Sequence, residues 1–316
     1  MPIVRTKHAL AYGWLSAAFA AWWIFMLAAP AQVRAIFVGS SLARDHYLWL
    51  LPADLVVIVS AFAEWRSATG NRARGSLVTV AVLVGAGCSL WLAVTEPESV
   101  LGFFLMMPAA TLAVAMEVTR RGIPILWGPF RFKKSEPESE KRLRQKVLVQ
   151  TAVMWGVFLA GIPAALVQIE ARLGWQILSG DPDWLRLAWV VPMLGLGAFA
   201  TRASRHMVAL GEGTPLPTQG TRKLVIGGIY GHIRNPMALG SIGQCVCIGL
   251  ILPSALTVSY TICGAILWDF CVRPLEEAYL ESEFGDAYVR YRNAVPCWRF
   301  RPNAYRDYTH SLVEAG

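Results

Sequence analysis

Two short polar clusters, one at each end of the apolar run 236–272, carry the residue types from which a binding site can be built. The first runs through Leu224, Val225, Gly228, Tyr230, His232, Arg234, Asn235 and Pro236. Its glycines permit positive φ and let a ligand approach the backbone closely. Pro236 suits the first turn of a helix, where its missing N–H has no partner to lose, and Asn235 is a good N-cap. A helix starting here offers its positive dipole end and free N–H groups to a carboxylate or similar acceptor. Arg234 stands beside that end and can add a bidentate contact. Alternatively, Arg234 simply snorkels to a lipid phosphate. The spacing leaves both readings open.

The second cluster is Asp269, Arg273, Glu276 and Glu277, spaced i, i+4, i+7 and i+8 and so expected on one helical face. Pro274 is expected to interrupt that helix and free a carbonyl one turn earlier. Carboxylates beside an apolar cavity can hold a cationic or amine-bearing group, or take up a proton with a raised pKa. An Arg273–Glu277 ion pair at a helix exit would account for the same residues without a ligand. Only the elements that carry the clusters can separate these readings.

Those elements are apolar helices. The 316-residue chain is 55% hydrophobic and only 16% charged, against roughly 25% charged in soluble domains. A bilayer core needs ~20 apolar residues per helix. Such runs recur at about 9–30, 46–64, 76–95, 99–118, 147–168 and 184–204. The run 236–272 is long enough for two more, turning at Leu252-Pro253-Ser254. The expected fold is an all-α integral membrane protein of about eight transmembrane helices, with a carboxy-terminal hairpin and a cytoplasmic pocket. A hairpin brings its ends together, so Arg234 and the glutamate pair should be neighbours. The first run exceeds the ~7–15 residues of a signal-peptide core and holds Trp22-Trp23, which favours a transmembrane helix.

Three regions follow: a four-helix transmembrane part at 1–120, a charged linker at 121–146, and a region at 147–316 that holds both clusters. The linker reads as a solvated loop, and its basic residues can also meet anionic lipid at ~1 kcal/mol each. Beyond Glu277, Tyr279, Leu280, Phe284, Tyr288 and Tyr291 recur at helical spacings, with Gly285 as a candidate break. Asp54 is an acid inside the second span; such groups need a partner, and a structural one near the loosened backbone of Pro52 suffices.

With the amino terminus inside, the inner segments 1–8, 65–75, 119–146, 202–235 and 273 onward hold all the Lys and Arg except Arg34, Arg44, Arg172 and Arg186. This bias sets both termini in the cytoplasm. It also explains the net charge of +8, so nucleic acid is not an expected partner. The six cysteines lack paired zinc-site spacing and read as small buried hydrophobes; with five scattered histidines, no metal is expected.

The stretch 206–302 resembles the isoprenylcysteine carboxyl methyltransferase and phospholipid methyltransferase superfamily of integral membrane enzymes. The resemblance rests on Gly213-Thr-Pro-Leu-Pro217, Leu224-Val225, Gly228-Ile-Tyr230, Arg234-Asn-Pro236 with Gly240, Glu276-Glu277, and Phe284-Gly-Asp-Ala-Tyr288-Val-Arg-Tyr291 before Val295-Pro296. It implies an S-adenosylmethionine-dependent methyltransferase acting on a lipid or other hydrophobic acceptor that enters from the bilayer. The acceptor group would be a carboxylate, amine or thiol. The implied cofactor pocket holds Leu224, Val225, Gly228, Tyr230, His232, Arg234, Asn235, Pro236 and Tyr288, closed by Glu276 or Glu277. Arg234 and Glu277 are the implied catalytic pair, with Glu277 the base for an amine acceptor. The family commonly has His where this chain has Asn235 and Tyr where it has Ala238, departures that bear on the acceptor more than on the cofactor. A bacterial cytoplasmic membrane is the expected location. The competing readings are an NADPH-dependent membrane reductase of the sterol-reductase type and a non-catalytic lipid-binding protein.

Overall fold

The computed structural model describes residues 2–43, 46–67, 70–122, 139–175, 177–178, 180, 182–211 and 221–305. These residues form twelve α-helices and no strand. They are α1 Pro2–Ala28, α2 Ala31–Ala43, α3 Leu51–Ser67, α4 Arg72–Thr95, α5 Val100–Arg121, α6 Glu140–Trp155, α7 Ile162–Leu173, α8 Asp183–Ala188, α9 Val190–Gly211, α10 Pro236–Ile251, α11 Ala255–Leu267 and α12 Arg273–Ala294. Residues 123–138 of the expected linker, and Gly213–Pro217 of the family-like motif, lie outside the described residues.

Among the described residues, seven helical segments are long and apolar enough to cross a membrane: Thr6–Ala28, Tyr47–Ser67, Arg72–Thr95, Pro97–Arg121, Lys141–Leu173, Asp183–Gly211 and Ala255–Ala294. The expected count of about eight becomes seven because α10, with 16 residues, falls short of the ~20 a straight span needs. The chain is thus an all-α integral membrane protein. Pro274 interrupts the helix, as expected, without ending the helical segment. A five-residue π-turn at Trp268–Val272 carries α11 into α12, making one segment from Ala255 to Ala294.

The chain divides into two compact units. The first contains 1–125, 168–177 and 259–271. Its core packs Ala11, Tyr12, Leu15 and Phe19 of α1 against Val57 and Ala61 of α3, Val78 and Val82 of α4, and Ala113 and Met116 of α5. Small and β-branched residues dominate because lipid gives no hydrophobic drive between helices; close packing must supply the association. The Asp54 carboxylate accepts a bond from Trp23 Nε1 at 2.8 Å, which supplies the structural partner its depth requires. Asp269 also lies in this unit, paired with Lys7 and not grouped with the glutamates seven and eight residues on. The widened π-turn breaks the common face that a regular helix would have given them.

The second unit contains 126–167, 178–258 and 272–316. Here α10 packs along α9. The chain then turns at Leu252–Ser254, where Ser254 N donates to Gly249 O at 2.8 Å. Ser254 Oγ accepts from Thr257 N at 3.0 Å and caps the start of α11. Ser254 is fully buried, so no water can replace that bond. Ser254→Ala is expected to cost about 1 kcal/mol, seen as a lowered melting temperature in detergent with ligand binding retained.

Candidate functional site

The segment 224–236 belongs to the second unit and owes its shape to one glycine and to the carboxy-terminal tail. Gly228 takes φ +59, and a Cβ there would lie 2.5 Å from His206 Cε1 and 2.6 Å from His206 Nδ1. The turn leads into a single 3₁₀ turn, Gly228–Gly231. Gly228→Ala is expected to destabilise the protein by about 1–3 kcal/mol, because both the φ value and the space beside His206 oppose a side chain. Thermal unfolding of the purified variant checks this.

The tail after α12 runs back along the segment. Tyr305 N donates to Gly231 O and Arg301 N to His232 O, each at 2.9 Å. His232 Nδ1 lies 2.7 Å from Arg301 O, and its ring stacks on Phe300 with centroids 4.8 Å apart. Arg234 N donates to Pro296 O at 3.1 Å. These backbone partners were not legible in the sequence, since nothing local marks residues 295–305 as complementary to 231–234. His232, placed in the cofactor pocket by the family resemblance, is thus occupied with the tail.

Arg234 stands at the centre. Its Nη1 donates to Glu277 Oε1 at 2.7 Å, and its Nε to Val295 O at 2.8 Å. Tyr288 lies near enough to act on it electrostatically. Burial works against its charge, but Glu277, then Tyr288 and Cys297, outweigh that and raise the guanidinium pKa. Arg273 Nη1 reaches the same Glu277 oxygen at 3.1 Å. The ends of the hairpin therefore meet, and the Arg273–Glu277 ion pair forms as well; the two readings coexist. The side chains of Arg234, Glu277 and Arg273 are only 11%, 18% and 16% exposed, so the trio is little screened by water.

Around this trio the other expected residues divide. Leu224 packs with Tyr288, Tyr291 and Val295, whereas Val225 packs with Tyr230 and Ala203 of α9. Pro236 opens α10, buried, at its first turn. Asn235 occupies the N-cap position without capping: its amide nitrogen reaches Cys297 Sγ at 3.0 Å instead. The start of α10 thus keeps donors that the cap side chain does not use.

Tyr230 and Glu276, close enough to interact electrostatically, each have a side-chain oxygen without a hydrogen-bond partner among the described residues. Tyr230 is 4% exposed; its carbonyl accepts from Tyr291 Oη at 2.8 Å, but its own hydroxyl is buried without a hydrogen-bond partner. Burial, then Tyr291 and Glu276, pushes that phenol well above its ordinary pKa, so it stays a neutral donor. Glu276, half-buried and close enough to act on Tyr230 electrostatically, makes no hydrogen bond or ion pair among the described residues. An unpaired carboxylate and an orphaned hydroxyl beside a guanidinium suit a ligand that carries both an amine and a carboxylate. Among the described residues no group of three or more His, Cys, Asp or Glu is placed to hold a metal.

Residues 193–287, from α9 into α12, match the family model for phospholipid methyltransferase. Among curated proteins, the protein-S-isoprenylcysteine O-methyltransferase of Schizosaccharomyces pombe is 37% identical over 75 residues. That alignment covers 23% of this chain and spans 31% of the yeast protein's length. No solved structure matches the chain. The family-model match takes in Tyr230, Arg234 and the start of α10.

Proposed function

We propose, from the match of residues 193–287 to the phospholipid methyltransferase family and the likeness to a yeast isoprenylcysteine O-methyltransferase, that the chain is an S-adenosylmethionine-dependent methyltransferase acting on a hydrophobic acceptor. The acceptor reaches the site from the bilayer, at the cytoplasmic face that the basic residues favour. The observation that carries the reading is the pair of uncommitted groups, Glu276 and the Tyr230 hydroxyl, beside the Arg234–Glu277–Arg273 trio.

These residues fit the donor. Its amino-acid end offers an amine to Glu276 and a carboxylate to Arg234 and the start of α10. When bound, the donor supplies an already activated sulfonium methyl. The protein's work is then to hold two ligands in line and exclude water. Arg234 ties α10 to α12 and to the tail at once, so it fixes the walls against each other. Tyr230, locked by Tyr291 and unable to ionise, orients a ligand acceptor atom through its hydroxyl.

A carboxylate or thiolate acceptor needs no base. An amine acceptor does, and for it we assign Glu276 the base role in place of the expected Glu277, as an alternative to its contact with the donor's amine. Glu277 is committed to two guanidinium donors, whereas Glu276 is free to receive a proton at its carboxylate. The methyltransferase matches do not favour the reductase alternative.

Titration calorimetry on purified protein tests the proposal. Saturable binding of S-adenosylmethionine and of its demethylated product supports it. No binding of either, or saturable NADPH binding instead, defeats it. Native membranes given a labelled methyl donor would then show whether label enters lipid, protein or a small molecule.

A further inference from the structure

Within the second unit, α9 carries small residues at spacings of three, Gly197, Ala200 and Ala203, and a later part of the same unit rests on each of them. Ala203 shares a buried cluster with Tyr230. Ala200 lies against Gly240 of α10, where an added Cβ would come within 2.8 Å of the alanine's own. Gly197 lies against Gln244, one turn further along α10; a Cβ on this glycine would stand 2.7 Å from the Gln244 amide nitrogen. The six residues from Ala203 back to Gly197 thus set Tyr230 and Gln244 about 9 Å apart along α9.

Gln244 is out of keeping with this seam. It sits midway along an apolar helix and is only 7% exposed. Polar side chains at such positions ordinarily bond across to the neighbouring helix and hold it. Here the hydroxyl that α9 carries one turn from Gly197, on Thr201, donates to the Gly197 carbonyl at 2.8 Å instead. Gln244 Oε1 is buried with no hydrogen-bond partner, and the amide nitrogen makes no hydrogen bond among the described residues. Helix packing therefore gains nothing from its polarity, since the glycines alone permit the close approach. An apolar side chain would fill the same space without forfeiting the hydrogen bonds that water gives a carboxamide. Tyr230 repeats the pattern at the other end of the stripe, where its hydroxyl is also buried without a partner. A slender ligand lying along the seam reaches both.

We infer that Gln244 is a binding residue for the hydrophobic acceptor: its carboxamide takes a hydrogen-bonding group, a hydroxyl or an amide, set within the acceptor's apolar chain about 9 Å from the part that lies at Tyr230. A carboxamide both donates and accepts, and so do these two groups, so one such group satisfies it from both sides. The acceptor is then an amphiphile with an interior polar group. A plain hydrocarbon chain leaves Gln244 unpaired and binds more weakly. Calling this ligand the methyl acceptor rests on the function proposed above; the polar position beside α9 does not.

The test uses two probes, stearate and a hydroxystearate with its hydroxyl at mid-chain. Each is titrated calorimetrically into the purified protein and into Gln244→Met, which keeps the length of the side chain and removes both hydrogen-bonding ends. The ratio of the two affinities, compared between proteins, cancels the detergent's own preference for either probe. That ratio should favour the hydroxyl about tenfold more in wild type than in the variant. The melting temperature should not fall, because no hydrogen bond is lost. An equal ratio in the two proteins, or binding of neither probe, overturns the inference. So does a lowered melting temperature in both Gln244→Met and Gln244→Leu, which would assign the carboxamide to helix packing. If Gln244→Met does not fold, Gln244→Leu carries the affinity measurement. A wild-type protein that binds no methyl donor would sink the functional proposal, while the affinity ratio would still decide the role of Gln244.

Discussion

Arg234→Ala is expected to weaken S-adenosylmethionine binding by about 100-fold or more, the usual cost of truncating one partner of a buried, hydrogen-bonded charge pair. Three losses coincide. The donor's carboxylate loses its guanidinium, Glu277 keeps only the longer bond to Arg273, and Val295 O loses its bond to Nε. Breaking a buried pair from one side costs about 3–5 kcal/mol, so the melting temperature should fall as well. Arg234→Lys keeps the charge but cannot span the Val295 carbonyl and Glu277 together, and it should recover only a small part of the affinity. Calorimetry beside thermal unfolding separates the effects. Wild-type affinity in a folded Arg234→Ala protein would remove Arg234 from the site.

The two glutamates should respond in opposite ways to the same isosteric change. Glu276→Gln is expected to leave the melting temperature near wild type, because the carboxylate has no partner to abandon. Methyl-donor affinity should nevertheless fall by about tenfold, as a charge-assisted bond to an amine becomes a neutral one. Glu277→Gln should do the reverse in proportion. It leaves Arg234 and Arg273 facing each other without an anion between them, so stability suffers first and binding follows. A destabilised Glu276→Gln protein with unchanged binding would mean that the uncommitted carboxylate serves the fold and not the ligand.

Much of this arrangement was legible in the chain. Long apolar runs gave the helices, and the turn at Leu252-Pro253-Ser254 implied that Arg234 and Glu277 would meet, as they do at 2.7 Å. The break at Gly285, φ +55, was signalled by a glycine inside an aromatic helical pattern. What escaped is what hydropathy does not encode. A π-turn costs the pattern one residue of register, invisible where every neighbour is apolar, so Asp269 was grouped with Glu277 when it belongs with Lys7. Asn235 reads as a cap from its place before Pro236, yet Cys297, sixty-two residues away, takes its amide. The tail's backbone bonds to 231–234 are long-range pairings with no local signature. The uncommitted state of Glu276 is a difference between two adjacent identical residues, and only three-dimensional placement creates it.

The lacing of residues 295–305 onto 231–234 also fixes when the site can come into being. A ribosome delivers the chain from its amino end, at about 5–20 residues per second, and α10 and α11 are made well before their polar neighbours have anything to bond. Arg234 therefore waits, unpaired, until α12 and the tail have been synthesised. The pocket is among the last features of the molecule to form, and a chain cut before residue 295 would carry a site that never closed.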